Sequence, residues 1–358
     1  MKVAVLGGGN GSYAAAADFA EAGHDVRWWR RDRASFADVA EAGGITLTDH
    51  EGSRKIAVVP TDDLAAALKG AELIVAPTPA FAQEDIATKL APHLEDGQVI
   101  YLPPGTFGSY LMMKRIREAG SKADIAIAET GTLPWLTRKQ GPLEVRVTTR
   151  ASRLPTGVLP ARHTDHAIKA IAAVFPASIE PVEDALSGAL MNAGPIIHPP
   201  LILMNAGPIE HFDRWDIHNE GTQPSIRRTH TALDNERMAI REALGYGAPH
   251  FPLADHYETS NWMYGNLAHD KLVDSGDWHE KLDLKSHRYM LEDVGMGLAF
   301  MVSVGEWAGV PCPVATGLLA IAGAVAERDF RAEGRTMEQI GLAGESREAV
   351  QTMLREGL

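Results

Sequence analysis

The chain has one cysteine, Cys312, among 358 residues. A single thiol excludes an internal disulfide and every cysteine-cluster metal site. Aromatic residues make up only 6%, and positive charge is in deficit: 34 Lys and Arg stand against 47 Asp and Glu, a formal net charge of −13. Without a long basic run, that balance argues against nucleic acid or an anionic membrane as a partner. No apolar stretch is long enough to span a bilayer, and no basic-then-apolar leader opens at Met1. The nearest candidate, "AGVPCPVATGLLAIAGAVA", is small and broken by proline, and reads as a core helix. The fourteen histidines show no H-E-x-x-H or similar ligand spacing, so no metal is expected. These absences predict a cytoplasmic protein that acts on small molecules.

What is present is apolar residue in quantity, 45% of the chain, enough for two domains. "KVAVLG", "DVRWWR", "AELIVAP", "DGQVIYLP" and "DIAIAET" read as short strands, with helical patterns such as "SYAAAADFAEAG" among them. That alternation predicts an α/β Rossmann domain with a doubly wound, mainly parallel sheet. "LEVRVTT", "SIEPV" and a helix around "DHAIKAIAAVF" extend it to about Val182. Residues 183–358 are expected to form an all-helical second domain, with long polar loops around "HFDRWDIHNEGTQPS" and "HDKLVDSGDWHEKLDLKS". Trp215, Tyr257, Trp262 and Tyr264 fall in those loops, where packing or homodimer contacts are expected and a substrate-side role is the alternative. "EGRTMEQIGL" reads as structural, closing the helical domain.

"VAVLGGGNGSYAAA" places Gly7, Gly9 and Ser12 in a G-x-G-x-x-small frame between a strand and a helix. The first glycine allows the tight turn and the second lets a pyrophosphate approach. A small third residue lets helix and strand pack. With Asn10 and Gly11, these residues would offer a helix N-terminus to phosphate. The second strand ends in Trp29, Arg30, Arg31 where an NAD-selective fold usually has an acid. Two guanidiniums match a 2′-phosphate, so NADP is the expected cofactor and NAD the alternative. Pro77, Thr78 and Pro79, after "AELIVAP", and Glu129, closing "DIAIAET", complete the candidate cofactor set.

"MNAGPIIHPPLILMNAGPIEHF" states one phrase twice, thirteen residues apart. On a straight helix thirteen positions turn the second histidine roughly 220° from the first, so His198 and His211 cannot face one cleft. His198 lies among Ile196, Ile197 and Pro199, and His211 opens a polar loop. A histidine beside an apolar helix is more often structural than catalytic. Asp293, however, falls inside the apolar helical pattern of "HRYMLEDVG", where a carboxylate needs a partner.

Together, "GGGNGSYAAA", "ETGTLPWLTR", "IIHPPLILMNAG", "SHRYMLEDVGMGL" and "DFRAEGRTMEQIGL" resemble the opine dehydrogenase family, of the octopine and nopaline type, almost end to end. The resemblance implies a Rossmann domain plus a helical domain, and reductive condensation of an amino acid or amine with a 2-oxo acid such as pyruvate. It implies a catalytic His–Asp pair at His198 and Asp293, and an oxo-acid carboxylate site at Arg288. The alternative for Arg288 is a salt bridge to Glu292, on the next helical turn. Relatives carry Asn four residues before the histidine. Here that position is Gly194, and Asn192 is the substrate-side candidate, brought round by the distortion Pro195 introduces. The repeat then reads as one site with an echo. Two rivals stay open. One is a ketopantoate, glycerol-phosphate or 2-hydroxy-acid reductase on the same architecture, which would need a catalytic Lys in a region without lysine between Lys169 and Lys271. The other is a non-catalytic NADP-binding sensor.

Overall fold

Fully apolar runs form the centre of the main sheet, as expected of parallel strands covered on both faces. The computed structural model describes residues 1–176, 178–265, 268–276, 278 and 281–358. Its strands are β1 (Lys2–Leu6), β2 (Asp25–Trp29), β3 (Ile45–Asp49), β4 (Gly52–Ile56), β5 (Leu73–Val75), β6 (Val99–Leu102), β7 (Ala126–Thr130), β8 (Trp135–Lys139), β9 (Glu144–Arg150), β10 (Leu154–Leu159) and β11 (Ile179–Pro181). Among the described residues the main sheet has the order β11-β10-β7-β6-β5-β1-β2. It is parallel except where β10 runs against β7. Ala14 to Ala17 of helix α1 (Asn10–Glu21) are wholly buried, and their small side chains let the helix lie close to the strands.

"LEVRVTT" becomes β9, but in a second sheet of order β4-β3-β9-β8. The alternation of Val145 and Val147, buried, with Glu144 and Arg146, more open, marks a strand covered on one face only. Arg150 ties this sheet to α1, donating to Asp18 at 2.8 Å and to Asp49 at 2.7 Å. The guanidiniums of Arg54 and Arg150 hold the Asp49 carboxyl well below the usual carboxylate range.

The chain divides into Met1–Ala189 with Thr352–Leu358, and Leu190–Gln351. The first unit therefore runs past Val182 and regains the C-terminus, unlike the 1–182 and 183–358 division read from the sequence. Helix Ala185–Ala189 belongs to the sheet because Gly157 and Gly188 let the backbones touch: a Cβ on Gly157 would meet Asp184 O at 1.9 Å. The last residues return to accept hydrogen bonds from Arg162 and Arg117.

The second unit is helical. It contains a histidine helix (Gly194–Leu203), helix Pro224–Ala243, a π-helix (Tyr289–Leu298) running into helix Ala299–Ala308, and the core helix Pro313–Ala326. Glu236 caps the core helix, accepting from Val314 N and Ala315 N. Within the segment expected as a polar loop, Ala268–Ser275 is a helix, and residues 277 and 279–280 lie outside the described residues. "EGRTMEQIGL" packs into the unit, where Arg335 N donates to Gly295 O and Met337 N to Ser303 Oγ. Trp262 and Tyr264 are buried. No helix of the described residues is long and apolar enough to cross a membrane.

Candidate active site

The glycine turn is clamped to the end of β2 in both directions. Gly7 N donates to Trp29 O at 2.9 Å, and Trp28 Nε1 donates to Gly7 O at 2.7 Å. Gly7 has φ +100°, which an L side chain rarely adopts, and Ser12 Oγ donates to Leu6 O. Gly11 is pressed between Pro77 and Leu133, whereas a Cβ on Gly9 would meet nothing within 4 Å. No side chain caps the start of α1. Asn10 Oδ1 is occupied by the backbone N–H of Lys139 at 3.1 Å. Thr78 Oγ1 is buried with no hydrogen-bond partner, and Pro79 beside it is exposed. Open amides at a helix N-terminus and an orphaned hydroxyl fit a dinucleotide pyrophosphate and ribose.

Arg30 and Arg31 part company. The Arg30 guanidinium lies on the turn: a Cβ on Gly8 would stand 2.8 Å from its Nε, and Nη1 donates to Tyr13 Oη at 3.0 Å. Arg31 is exposed, and its guanidinium stands 3.9 Å from Asp85. Neighbours on an extended backbone point to opposite sides, so one strand end presents one of the two. Glu129 departs further from expectation. Its carboxylate is wholly buried and accepts from Phe107 N at 2.7 Å, Ser109 N at 3.2 Å and the Ser109 hydroxyl. A Cβ on Gly105 would strike it at 2.3 Å. It holds the loop that starts helix Gly108–Glu118, and with no exposed surface it has none to offer a cofactor.

In the helical unit, His198 and Asp293 meet. His198 Nδ1 stands 3.0 Å from Asp293 Oδ2. The pair is at ion-pair distance but off the line a hydrogen bond needs, and neither buried atom has another partner. The imidazole stacks on Tyr289, with centroids 3.8 Å apart and planes 16° from parallel. The ring is 17% exposed and its Nδ1 is buried, so Nε2 is the nitrogen turned outward.

Close packing of two helices makes this pair. Asp293 Oδ1 lies where a Cβ on Gly194 would be, 2.1 Å from that position, and Pro195 fills the space above Gly297. Tyr289, Asp293 and Gly297, each four apart, form the π-helix row facing the histidine helix. Within these wide turns Gly295 O accepts from Arg335 N–H outside the helix. An asparagine side chain at 194 would collide with Asp293, so the departure from the family pattern is required by this packing. Asn192, nearly buried, accepts from Gly194 N at 3.0 Å just ahead of the helix.

The echo has none of this. Its Asn205 donates to Leu201 O and Gly221 O inside the unit, Gly207 faces open space, and His211 is exposed at the end of helix Ala206–His211. Arg288 is 59% exposed, with Nε 4.0 Å from Glu292 Oε2. Sequence reasoning missed two further groups. Tyr289, one turn before Asp293, carried a spacing signal. His230 carried none. Its Nε2–H donates to Ile197 O at 2.9 Å, and burial pushes its pKa down to about 4. It therefore stays neutral and steadies the backbone beside His198, where Pro199 and Pro200 remove two helical donors.

Comparison with known proteins agrees with this architecture. Residues 181–326 match the family model described as the alpha-helical domain of NAD/NADP octopine/nopaline dehydrogenase. Residues 2–119 match the N-terminus of NAD-dependent glycerol-3-phosphate dehydrogenase. An opine dehydrogenase of Arthrobacter sp. (strain 1C) is 29% identical over 95% of both chains. An octopine dehydrogenase solved with NADH and agmatine superposes with a TM-score of 0.76 at 19% identity, covering 98% of each chain. A yersinopine dehydrogenase with NADP+ bound gives 0.68 at 15% identity, over 99% of this chain and 98% of that one. Residues 181–326 are thus similar to the helical domain of octopine/nopaline dehydrogenases and residues 2–119 to a dehydrogenase's dinucleotide-binding N-terminus, the two parts of an NAD(P)-dependent oxidoreductase.

Proposed function

We propose that this enzyme is an opine-type dehydrogenase that condenses an amino acid or amine with a 2-oxo acid such as pyruvate, reduces the resulting imine, prefers NADPH, and runs the reverse reaction. The reading rests on one observation above all: a histidine and a carboxylate held together by glycine packing between two helices distant in sequence. When bound, the dinucleotide supplies the hydride. The helix N-terminus opening at Gly9 would hold its pyrophosphate, with Gly11 small enough to pack beneath, Arg30 would hold its 2′-phosphate, and Thr78 would offer a hydroxyl.

Amine addition to the oxo acid gives a carbinolamine, and loss of its hydroxyl as water needs a proton. His198 as imidazolium donates that proton from Nε2, while Asp293 balances the charge at Nδ1. In reverse the neutral ring takes a proton from the attacking water. Tyr289 keeps the ring in plane, and Arg288 pairs with the oxo-acid carboxylate through its planar fork. A cytoplasmic setting fits, since amino acids, 2-oxo acids and reduced nicotinamide are supplied there together.

NADPH oxidation should require both pyruvate and an added amine, which an amino-acid panel would identify. Oxidation with the oxo acid alone would instead indicate a hydroxy-acid reductase. His198→Ala should lose roughly 100-fold or more in rate while binding NADPH normally. His211→Ala should change little. A dead His211 variant beside an active His198 variant would refute the assignment.

A further inference from the structure

The glycine turn carries a second cation that the sequence does not announce. Lys139 is the last residue of β8, in the smaller sheet, far along the chain from the turn. Its backbone N–H is fixed on Asn10 Oδ1, which delivers the side chain over α1. The ammonium lies 4.1 Å from the centroid of the Tyr13 ring and 3.4 Å from Gly8 O. Tyr13 meets Arg30 too, accepting from its Nη1 at the hydroxyl, and donates in turn to Pro142 O at 3.0 Å. Two positive side chains thus share one buried tyrosine and one glycine. Neither has a carboxylate within ion-pair reach among the described residues. Burial and the neighbouring Arg30 both push the Lys139 ammonium toward losing its proton.

Two facing cations without an anion are destabilising, and an anion placed between them removes the repulsion. The anion's identity follows from position. Gly8 lies between Gly7 and Gly9 and is covered by Arg30, the residue directly after β2. That strand end is where a Rossmann fold meets the adenosine ribose, whereas the pyrophosphate meets the amides opening α1. We infer that Lys139 is a specificity residue of the cofactor site, forming with Arg30 a two-cation clamp for the adenosine 2′-phosphate, in the place the sequence offered to Arg31. This rests on the NADP reading above and assigns its second charge.

The test uses the whole protein and measures binding rather than turnover. Calorimetry with 2′,5′-ADP and with 5′-AMP separates the 2′-phosphate from the rest of the nucleotide. The unaltered protein should prefer 2′,5′-ADP. Lys139→Gln should weaken 2′,5′-ADP about tenfold, in line with one lost charge-assisted hydrogen bond, and leave 5′-AMP within twofold. Lys139→Arg should retain the preference, which also shows that the hairpin folds. Equal weakening of both nucleotides would move Lys139 to the 5′-phosphate and overturn the assignment. So would an unchanged preference in Lys139→Gln while Arg30→Gln abolishes it, which would leave the NADP reading standing. If the unaltered protein does not discriminate between the nucleotides, the NADP reading itself fails.

Discussion

Gly194→Ala adds one methyl group at the point where Asp293 crosses the histidine helix. The new Cβ would lie 2.1 Å from Asp293 Oδ1, and real Cβ contacts essentially never fall below 3.0 Å. Relief therefore needs about 1 Å of movement by the carboxylate or the helix, and a misplacement of that size costs on the order of 100-fold in rate. Stability should change much less. Alanine favours a helix over glycine by about 1 kcal/mol, which offsets part of the roughly 1–3 kcal/mol that overpacking costs. The variant should melt near the wild type and bind NADPH normally, yet reductively condense an amino acid with pyruvate about 100-fold more slowly. Gly207→Ala, the same change in the echo, meets open space and should keep full activity. Initial rates of NADPH oxidation, with cofactor binding measured by nicotinamide fluorescence, decide the matter. A Gly194→Ala enzyme with more than half the wild-type rate would show that the close approach to Asp293 does not set the dyad.

Arg288→Lys keeps the charge but loses the fork, so the oxo-acid KM should rise about tenfold or more while amine and cofactor constants hold. Glu292→Gln should leave them all unchanged, and an unchanged oxo-acid KM in Arg288→Lys would favour the salt bridge instead. Glu129→Gln should cost at least about 2 kcal/mol in urea unfolding, because a buried charged acceptor of backbone N–H groups is lost. A variant that instead bound NADPH poorly at full stability would restore Glu129 to the cofactor site. Burial pushes His230 down to about 4 and His256 to about 3 from the ordinary 6.5. The unfolded chain takes up these protons first, so the stabilisation is complete above pH 6.5 and is lost as pH falls through the folded values. His230 alone accounts for about 3 kcal/mol of that loss by pH 4. Urea unfolding at pH 7 and 4.5 should show it, and His230→Gln should reduce the difference; an unaffected difference would assign the acid lability elsewhere.

The main sheet was legible because parallel strands between helices are apolar without interruption, and because Gly7, Gly9 and Ser12 stand at a strand–helix junction. The smaller sheet was harder to see. β3 and β4 carry Thr46, Thr48, Ser53 and Lys55 on one face and interrupt the other with Asp49 and Arg54, and their turn, "DHEG", resembles any polar loop. Its cost to the reading was Lys139, since a residue's approach to a turn more than a hundred positions away depends on hairpin register. Glu129 failed for a related reason. A carboxylate at a strand end looks the same whether it faces a ligand or the start of the neighbouring helix. Only the glycine beside it, Gly105, hinted that it turns inward.

The doubled phrase shows where sequence similarity stops being informative. Both copies read Met-Asn-Ala-Gly-Pro-Ile, and their local chemistry is nearly the same. They diverge in what crosses them. The first glycine is crossed by the π-helix row of Tyr289, Asp293 and Gly297, and it must be glycine because a carboxylate fills the space beside it. The second faces open space, so nothing in the fold requires glycine there. Asp293 in turn sits in an apolar row that would exclude it, were His198 not opposite. Each oddity is explained by the other: a buried acid needs a cation or a donor, and the donor is in place only if residue 194 has no side chain. The coupling makes a reciprocal claim. Asp293→Ala empties the space next to Gly194, so adding Gly194→Ala to it should cost nothing further in rate, whereas independent effects would multiply. Full additivity in that double-mutant cycle would mean that the two residues act separately, and the packing account of the dyad would fall.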